Sequence, residues 1–292
     1  WHPDSLSRQA YWSVLKRVRK GPLIIGGGQM LDGGRRPKGL AYLWALTLFA
    51  RTMGQSVALI GVGVRALDET MLSRFLARGI VKRCSIARVR DIQSKDMLVA
   101  CGVNPAKIEV TADVVFSNTR TKRNPNSSKK APGKTVFFAV HNSPSVIHYQ
   151  PEDYATLVDR VMKLRSGQQA AIICHDIRLE YDVDFARAVA AISKTECLVM
   201  IPQSVEDVFE AYADASLVVS SRMHPLIMGL VAGATVLPLA GSAKVSDLVR
   251  TWYGSNAVDI KNVKHFDDAM IQGVPMGLIA SAERNFDGLR DL

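Results

Sequence analysis

The segment from Ser216 to Arg250 constrains the fold more than any other part of this 292-residue chain. Its first apolar run, Leu217–Ser220, is rich in Val, which is typical of a buried strand. Pro225 then opens an almost wholly apolar helix that ends at Gly233, and a second strand follows. A strand–helix–strand unit of this kind predicts a parallel sheet, and open parallel sheets bind ligands just beyond the carboxyl ends of their strands.

Polar residues follow both strands of this unit at the predicted ligand-binding edge. Arg222 and His224 come after the first strand, and Ser242 and Lys244 come after the second. Arginine offers a fork for carboxylate or phosphate, and histidine exchanges protons near neutral pH. A lysine at a helix start opposes the helix dipole, so a bound anion explains Lys244 better than stability does. A purely structural pairing of Arg222 with His224 is the alternative.

The rest of the chain alternates strands with helices, which predicts an α/β fold. Strands are predicted at 23–25, 56–60, 85–89, 108–111, 135–140, 170–174, 197–201, 217–220 and 235–239, and helices at 37–53, 68–78, 91–101, 151–165, 180–193 and 205–213. Gly79 is predicted to end the second of these helices. Ser204 and Asp207 have the spacing of a capping box.

Charge and composition divide the chain into two halves. Residues 1–134 hold 24 Lys and Arg against 8 Asp and Glu, whereas residues 135–292 hold 13 against 19. Residues 119–134 contain six basic residues, no acid and no aliphatic side chain larger than Ala, which is linker composition. We therefore predict a basic Rossmann-like domain over 1–118, a linker over 119–134 and a second Rossmann-like domain over 135–292. Two such domains facing across a cleft form a GT-B-like fold.

Several classes of protein are not expected from the composition. No apolar run approaches the ~20 residues of a membrane span, and the first residues lack the apolar region of a secretory signal. The four cysteines show no C-x-x-C spacing, so we expect reduced thiols in a cytoplasmic protein, with neither disulfide nor zinc site.

Six motifs occur in an order that resembles the polysaccharide pyruvyl transferases. They are IIGGGQML at 24–31, LIGVGVR at 59–65, the R-D-x-x-S segment from Arg90 to Ser94, ADVVF at 112–116, the R-x-H of Arg222 to His224, and AKVSDL around Lys244. The family's amino-terminal N-x-G-D-like signature has no counterpart before Pro22.

The resemblance implies phosphoenolpyruvate as donor and a sugar diol as acceptor, on a cell-surface polysaccharide or its lipid-linked precursor, with a pyruvate ketal as product. We predict catalytic roles for His224 and Arg222, and we expect no cofactor and no metal, because the sequence shows no metal-ligating cluster. We predict that the donor is bound by Arg90, Arg222, Ser242 and Lys244, and that the acceptor or secondary residues are Gly27, Gly28, Arg65, His141, Asn142, His175 and Asp176. The last four lie at the strand ends and either bind acceptor hydroxyls or merely satisfy loop backbone groups.

Some alternatives stay open at this point. The Arg90–Asp91 pair could be a helix cap with an exposed arginine, and the glycine triplet could be a plain turn. A GT-B glycosyltransferase that uses a nucleotide sugar is the second enzyme hypothesis. A module that binds anions or nucleic acid is the non-enzyme hypothesis, although nucleic acid is not expected because no recognisable binding motif accompanies the basic residues.

The basic first domain also predicts a peripheral, salt-sensitive association with an anionic membrane surface. The residues proposed for this contact lie within the first forty of the chain: Trp1, Arg8, Tyr11, Trp12, Lys16, Arg17, Arg19, Lys20, Arg35, Arg36 and Lys38.

Overall fold

A computed structural model describes residues 14–34, 37–117, 133–142, 149–176, 179–241, 245–246, 249–250, 257–260, 270–274 and 277–292. The chain forms two compact units: Trp1–Ser117 with Met276–Leu292, and Asn118–Pro275. The predicted boundary assigned all of 135–292 to the second domain, whereas the last 17 residues belong to the first unit. The buried amide of Asn285 explains this placement, because it hydrogen-bonds Ala112 O and the Thr111 hydroxyl at 2.9 and 2.8 Å.

Unit 1 contains a four-stranded parallel sheet in the order β1-β3-β5-β6 and a two-stranded parallel sheet of β2 and β4. The strands are β1 (Leu23–Gly26), β2 (Leu31–Asp32), β3 (Val57–Val62), β4 (Val64–Arg65), β5 (Ile86–Val89) and β6 (Glu109–Val110). The helices are α1 (Lys38–Thr52), α2 (Met71–Arg83), α3 (Ile92–Ala100) and, near the carboxyl terminus, α8 (Leu278–Glu283). Strand β3 is buried along its whole length, as expected of a central strand in a parallel sheet.

Unit 2 contains a five-stranded parallel sheet in the order β11-β10-β7-β8-β9. Its strands are β7 (Thr135–Ala139), β8 (Gln169–Ile173), β9 (Cys197–Met200), β10 (Ala215–Ser220) and β11 (Thr235–Pro238). Its helices are α4 (Pro151–Leu164), α5 (Asp184–Ile192), α6 (Val205–Ala213) and α7 (Met223–Val231). The predicted capping box is present at the start of α6, where Ser204 and Asp207 bind each other's backbone N–H.

Each unit has its own apolar core on its own sheet. In unit 2, the rings of Tyr154 and Phe185 join α4 to α5 in an edge-on contact with centroids 5.7 Å apart. All four cysteines are free thiols, and Cys197 is the one that is not fully buried. Burial raises the pKa of both the Cys84 and the Cys174 thiol to about 12, so both stay protonated at neutral pH.

Two of the predicted helix boundaries are wrong. Helix α2 continues through Gly79 to Arg83. The glycine instead allows the Trp44 ring to approach the helix closely, since a Cβ at this position would lie 2.5 Å from Nε1 of Trp44. Helix α7 begins at Met223, so Pro225 is its third residue and not its first. Gly79 does not have to end a helix, because glycine only weakens a helix interior. Pro225 does not have to be the first residue of a helix, because the N–H groups of the first turn have no partner within the helix.

Candidate active site

The predicted residues of unit 2 come from three adjacent strands. Strand β7 lies between β10 and β8, and the three run parallel. Their carboxyl ends lead into His141 and Asn142, into Arg222, and into His175 and Asp176. Because parallel strands end at one edge of the sheet, the fold collects these residues there, as the sequence predicted.

Asp182, which the sequence analysis did not single out, connects the three strand ends. It is fully buried in the turn Leu179–Val183 before α5. Both of its carboxylate oxygens accept a hydrogen bond from Nη2 of Arg222, at 2.7 Å each. The same oxygens accept the backbone N–H of Asn142, His175 and Asp176 at 3.2, 3.2 and 2.8 Å. One carboxylate therefore fixes the positions of the ends of β7, β8 and β10.

The positive charge of Arg222 is compensated by a carboxylate of the protein itself. Besides the pair with Asp182, its Nε donates to the Val140 carbonyl at 3.1 Å, and its backbone N–H donates to the Ser220 hydroxyl at 2.9 Å. Its side chain is 20% exposed, and no described residue accepts a hydrogen bond from Nη1. The alternative prediction, a structural pair of Arg222 with His224, named the wrong partner, because Arg222 pairs with Asp182. A bound anion would have to use the Nη1 edge.

His175 is a neutral member of this edge. Its Nε2 lies 2.8 Å from the hydroxyl of the buried Tyr212, and the two rings stack with centroids 5.9 Å apart. Burial, and to a smaller extent the positive charges of Arg222, His224 and His141, lower the pKa of His175 to about 3. At physiological pH this imidazole is therefore a hydrogen-bonding group and not a cation for phosphate.

His224 is the exposed member. Arg222 is the N-cap of α7, which places His224 second in the helix, in its first turn. The side chain faces solvent at a helix N-terminus, where the backbone N–H groups favour an anion. An accessible imidazole beside an anion site can transfer a proton to or from a ligand bound there. Ser242 and Lys244, the other predicted residues of this region, lie outside the described residues.

In unit 1, the glycine triplet is tied to the neighbouring strand. Gly27 and Gly28 have φ of +68° and +60°, which a residue with a side chain rarely adopts. Gly27 donates its N–H to Ile60 O at 3.0 Å, and Gly28 O accepts the N–H of Gly63 at 2.7 Å. These bonds hold the triplet at the end of β1 against β3. The Gly27 N–H is therefore already bound to a carbonyl of the protein.

Arg90 is also paired internally, with side chain exposure of 10%. Its Nε lies 3.1 Å from Asp91 and its Nη1 lies 3.3 Å from Asp113, which is 2% exposed. The guanidinium covers Gly63, where a Cβ would be 2.7 Å from Cζ. Gly63, the second glycine of the G-x-G element, therefore leaves space for the Arg90 side chain. A role of Arg90 in donor binding stays a prediction.

The R-D-x-x-S segment forms the junction between β5 and α3. Asp91 is the N-cap of α3 and accepts the N–H of Ser94 at 2.7 Å, and the Ser94 hydroxyl accepts the N–H of Val64 at 3.0 Å. The helix-cap interpretation of Asp91 is therefore correct, but the Arg90 side chain is only 10% exposed, so the arginine is not at the surface. Arg65, another predicted residue, lies at the surface, where its Nε donates to Asp32 at 3.1 Å.

A family model described as polysaccharide pyruvyl transferase matches residues 2–242 of the chain. The chain belongs to the polysaccharide pyruvyl transferase family. The match spans both the glycine triplet of unit 1 and the Arg222 edge of unit 2, so all the family motifs except the one around Lys244 lie within it. No curated protein matches the chain in sequence.

Solved structures of another group of enzymes share the fold of this chain. The UDP-GlcNAc 2-epimerase of Methanocaldococcus jannaschii matches with a TM-score of 0.64 and 14% identity, over 99% of this chain and 84% of that one. The UDP-GlcNAc 2-epimerase of Neisseria meningitidis bound to UDP-GlcNAc matches with a TM-score of 0.60 and 11% identity, over 100% and 84%. The α/β, Rossmann-like, GT-B-like fold class predicted from the sequence is thereby confirmed.

No described helix is long and apolar enough to cross a membrane. Within the same residues, no group of three or more His, Cys, Asp and Glu side chains is placed to hold a metal ion.

Proposed function

We propose that the protein transfers a pyruvyl group from phosphoenolpyruvate to two hydroxyls of a sugar in a cell-surface polysaccharide or its lipid-linked precursor. The observation that carries the proposal is the family match over residues 2–242. The geometry of unit 2 supports it, because a neutral histidine, an exposed histidine and an arginine lie at one edge of its sheet.

The proposed reaction needs a proton donor and a stabilised anion. Carbon 3 of the enol gains a proton, which makes carbon 2 electrophilic. One sugar hydroxyl adds to carbon 2, the C–O bond to phosphate breaks, and the second hydroxyl closes the ketal. Two hydroxyl protons are released in all: one balances the proton gained by carbon 3, and the other leaves with the phosphate.

We assign His224 the proton transfer, because its imidazole is exposed in the first turn of α7. The backbone N–H groups of that turn and Nη1 of Arg222 would receive the carboxylate or phosphate of the donor. Asp182 would act through Arg222, by holding its guanidinium in place. Lys244 is proposed as a second donor-binding cation from its sequence position alone.

The proposal includes neither cofactor nor metal. We expect full activity in the presence of a chelator. Activity that is lost on chelation and restored by one specific divalent ion would contradict this part of the proposal.

A second candidate function is the transfer or conversion of a nucleotide-linked sugar. The observation that favours it is the fold shared with UDP-GlcNAc 2-epimerases, of which the Neisseria enzyme binds UDP-GlcNAc. At 11–14% identity this likeness shows the fold alone. The family match is therefore the stronger observation, and it favours the pyruvyl transfer.

Thermal unfolding of the full chain with three ligands separates the candidates. We expect phosphoenolpyruvate to raise the unfolding temperature, since a ligand that binds only the folded state stabilises it. UDP and a single-stranded oligonucleotide should have no such effect. A rise with UDP alone would favour the nucleotide-sugar reaction, and a rise with the oligonucleotide alone would favour the nucleic-acid module.

A further inference from the structure

Two neighbouring helices of unit 1 combine exposed apolar residues with an absence of acidic ones. Neither α1 nor α2 contains an Asp or Glu along its whole length. Met71, Leu72 and Phe75 of α2 are 78%, 54% and 62% exposed, and Leu48 of α1 is 38% exposed. Large apolar side chains grouped at the surface indicate an interaction site rather than a stability requirement.

An aromatic seam makes the two helices one surface. Trp44 of α1 lies against α2, with its ring centroid 6.2 Å from that of Phe75. The guanidinium of Arg83 lies over the same Trp44 ring, 4.6 Å from its centroid. Because Phe75 and Arg83 are two turns apart on α2, the seam connects the exposed apolar end of this helix to its basic end.

A basic cavity of about 460 Å³ lies at that basic end. It is lined by Arg51, Gly79, Lys82, Arg83, Cys84, Ser85 and Lys107. Lys107 Nζ donates to Lys82 O at 2.9 Å, and Arg83 Nη1 donates to Gly79 O at 2.8 Å. No described residue forms an ion pair with any of the four cations, so the cavity presents uncompensated positive charge.

The exposed apolar residues, the Trp44 seam and the basic cavity together form the α1–α2 surface, and its cavity lies away from Gly27 and Arg90 of unit 1. Cys84 and Ser85 precede β5, which places the cavity at the amino-terminal edge of the sheet of unit 1. Gly27 and Arg90 lie at the opposite, carboxyl-terminal edge. A partner at the cavity would therefore leave the strand-end edge accessible.

We propose that the α1–α2 surface docks the protein on an anionic lipid bilayer. Met71, Leu72 and Phe75 enter the boundary between headgroups and acyl chains, and the cations of the cavity bind lipid phosphates. Arginine and tryptophan are suited to this position, because each has an apolar body and a polar end. The aliphatic residues decide between lipid and nucleic acid, since Met71 and Leu72 offer no aromatic face for base stacking.

The described part of the amino-terminal segment extends the same surface. Lys16, Arg17, Arg19 and Lys20 are exposed, and the guanidinium of Arg19 lies 5.9 Å from the ring centroid of Phe49 on α1. Each cation near an anionic leaflet contributes about 1 kcal/mol, so the cavity and this segment together suffice for reversible attachment. The proposal does not depend on the reaction, and its failure would leave the proposed function unaffected.

Vesicle sedimentation with the full chain tests the proposal. The vesicles contain phosphatidylcholine alone or with about one third phosphatidylglycerol, at ~0.05 M and ~0.5 M salt. We expect binding to the anionic vesicles at low salt only. The double variant Lys82→Ala/Lys107→Ala should bind about 30-fold more weakly, because it removes two cations. The matched control Lys163→Ala/Lys194→Ala removes two exposed lysines of unit 2 and should bind like the unmodified protein.

The apolar part of the surface is tested with Phe75→Ser, for which Leu198→Ser is the control, since Leu198 is 63% exposed in unit 2. We expect Phe75→Ser to bind the anionic vesicles about tenfold more weakly and Leu198→Ser to bind them like the unmodified protein. Equal binding to neutral and anionic vesicles would overturn the proposal, as would equal losses in the variants and their controls. Tighter binding of an oligonucleotide than of vesicles, through the same two lysines, would replace the lipid by a nucleic acid.

Discussion

Replacement of Asp182 by asparagine should strongly destabilise unit 2. The carboxylate accepts five hydrogen bonds, two from Arg222 and three from backbone N–H groups, and it is fully buried. An asparagine of the same shape has one acceptor oxygen and an NH₂ group. Since each carboxylate oxygen faces at least two donors, the NH₂ group would point at donors in either orientation.

The size of the effect follows from the loss of one partner in a buried ion pair. Such a loss costs about 3–5 kcal/mol, because the remaining charge stays buried and uncompensated. The 20% exposure of Arg222 gives it partial access to water, which favours the lower part of this range. We therefore expect the free energy of unfolding of unit 2 to fall by ~3–4 kcal/mol.

Hydrogen exchange on the full chain measures this change where it occurs. The amides of β7 and β8 should exchange faster in Asp182→Asn, by the factor that corresponds to the lost free energy. Asp184→Asn is the control, because this carboxylate lies two residues away and is 62% exposed. The control should change stability by less than about 0.5 kcal/mol. Protection in Asp182→Asn that equals that of the control would refute the assignment of Asp182 as the connection between the strand ends.

Three further predictions concern single residues of unit 2. The pKa of His175 is about 3 in the folded protein against 6.5 ordinarily. Between these two pH values the histidine is protonated in the unfolded chain but not in the folded protein. The free energy of unfolding should therefore fall by up to ~1.4 kcal/mol for each pH unit below pH 6.5. His175→Gln should remove this part of the slope in urea unfolding at several pH values, and unchanged slopes would show that the histidine has the same pKa in the folded and unfolded states. His224→Gln should lower turnover by ~10²-fold or more while phosphoenolpyruvate still binds, and near-normal steady-state turnover would leave His224 without a role in proton transfer. Lys244→Ala should weaken phosphoenolpyruvate binding in calorimetry by ~2–4 kcal/mol, with Lys194→Ala as the control, and equal affinities in the two variants would remove Lys244 from the donor site.

The strands could be predicted from the sequence because their signal is local. Runs such as Val57–Val62 and, within β10, Leu217–Val219 are apolar without interruption, which in a chain of alternating elements indicates central strands of a parallel sheet. The edge residues followed from the same pattern, since a residue just past a parallel strand must lie at one edge. Gly79 and Pro225 show why helix boundaries could not be predicted as well: packing against Trp44 and the spare N–H groups of a first turn are not visible in a local pattern.

The partners of the two arginines could not be predicted in the same way. Asp182 and Arg222 are 40 residues apart, and Asp113 is 23 residues from Arg90. Both arginines were interpreted as cations available to a donor anion, whereas each is paired with a buried carboxylate. A signal is present for Asp113, which lies two residues past the predicted strand 108–111, but Asp182 lies inside a segment predicted to be a helix.

The mass of the acceptor after reaction tests the proposed transfer most directly. The protein is incubated with phosphoenolpyruvate and a mixture of methyl glycosides of galactose, glucose and mannose, and the products are examined by mass spectrometry with UDP-glucose as the competing donor. We predict that one glycoside gains C₃H₂O₂, the increment of a pyruvate ketal, with release of one phosphate, and that this product is absent for His224→Gln. A glycoside that gains a hexosyl unit from UDP-glucose, with no C₃H₂O₂ increment from phosphoenolpyruvate, would contradict the proposed function.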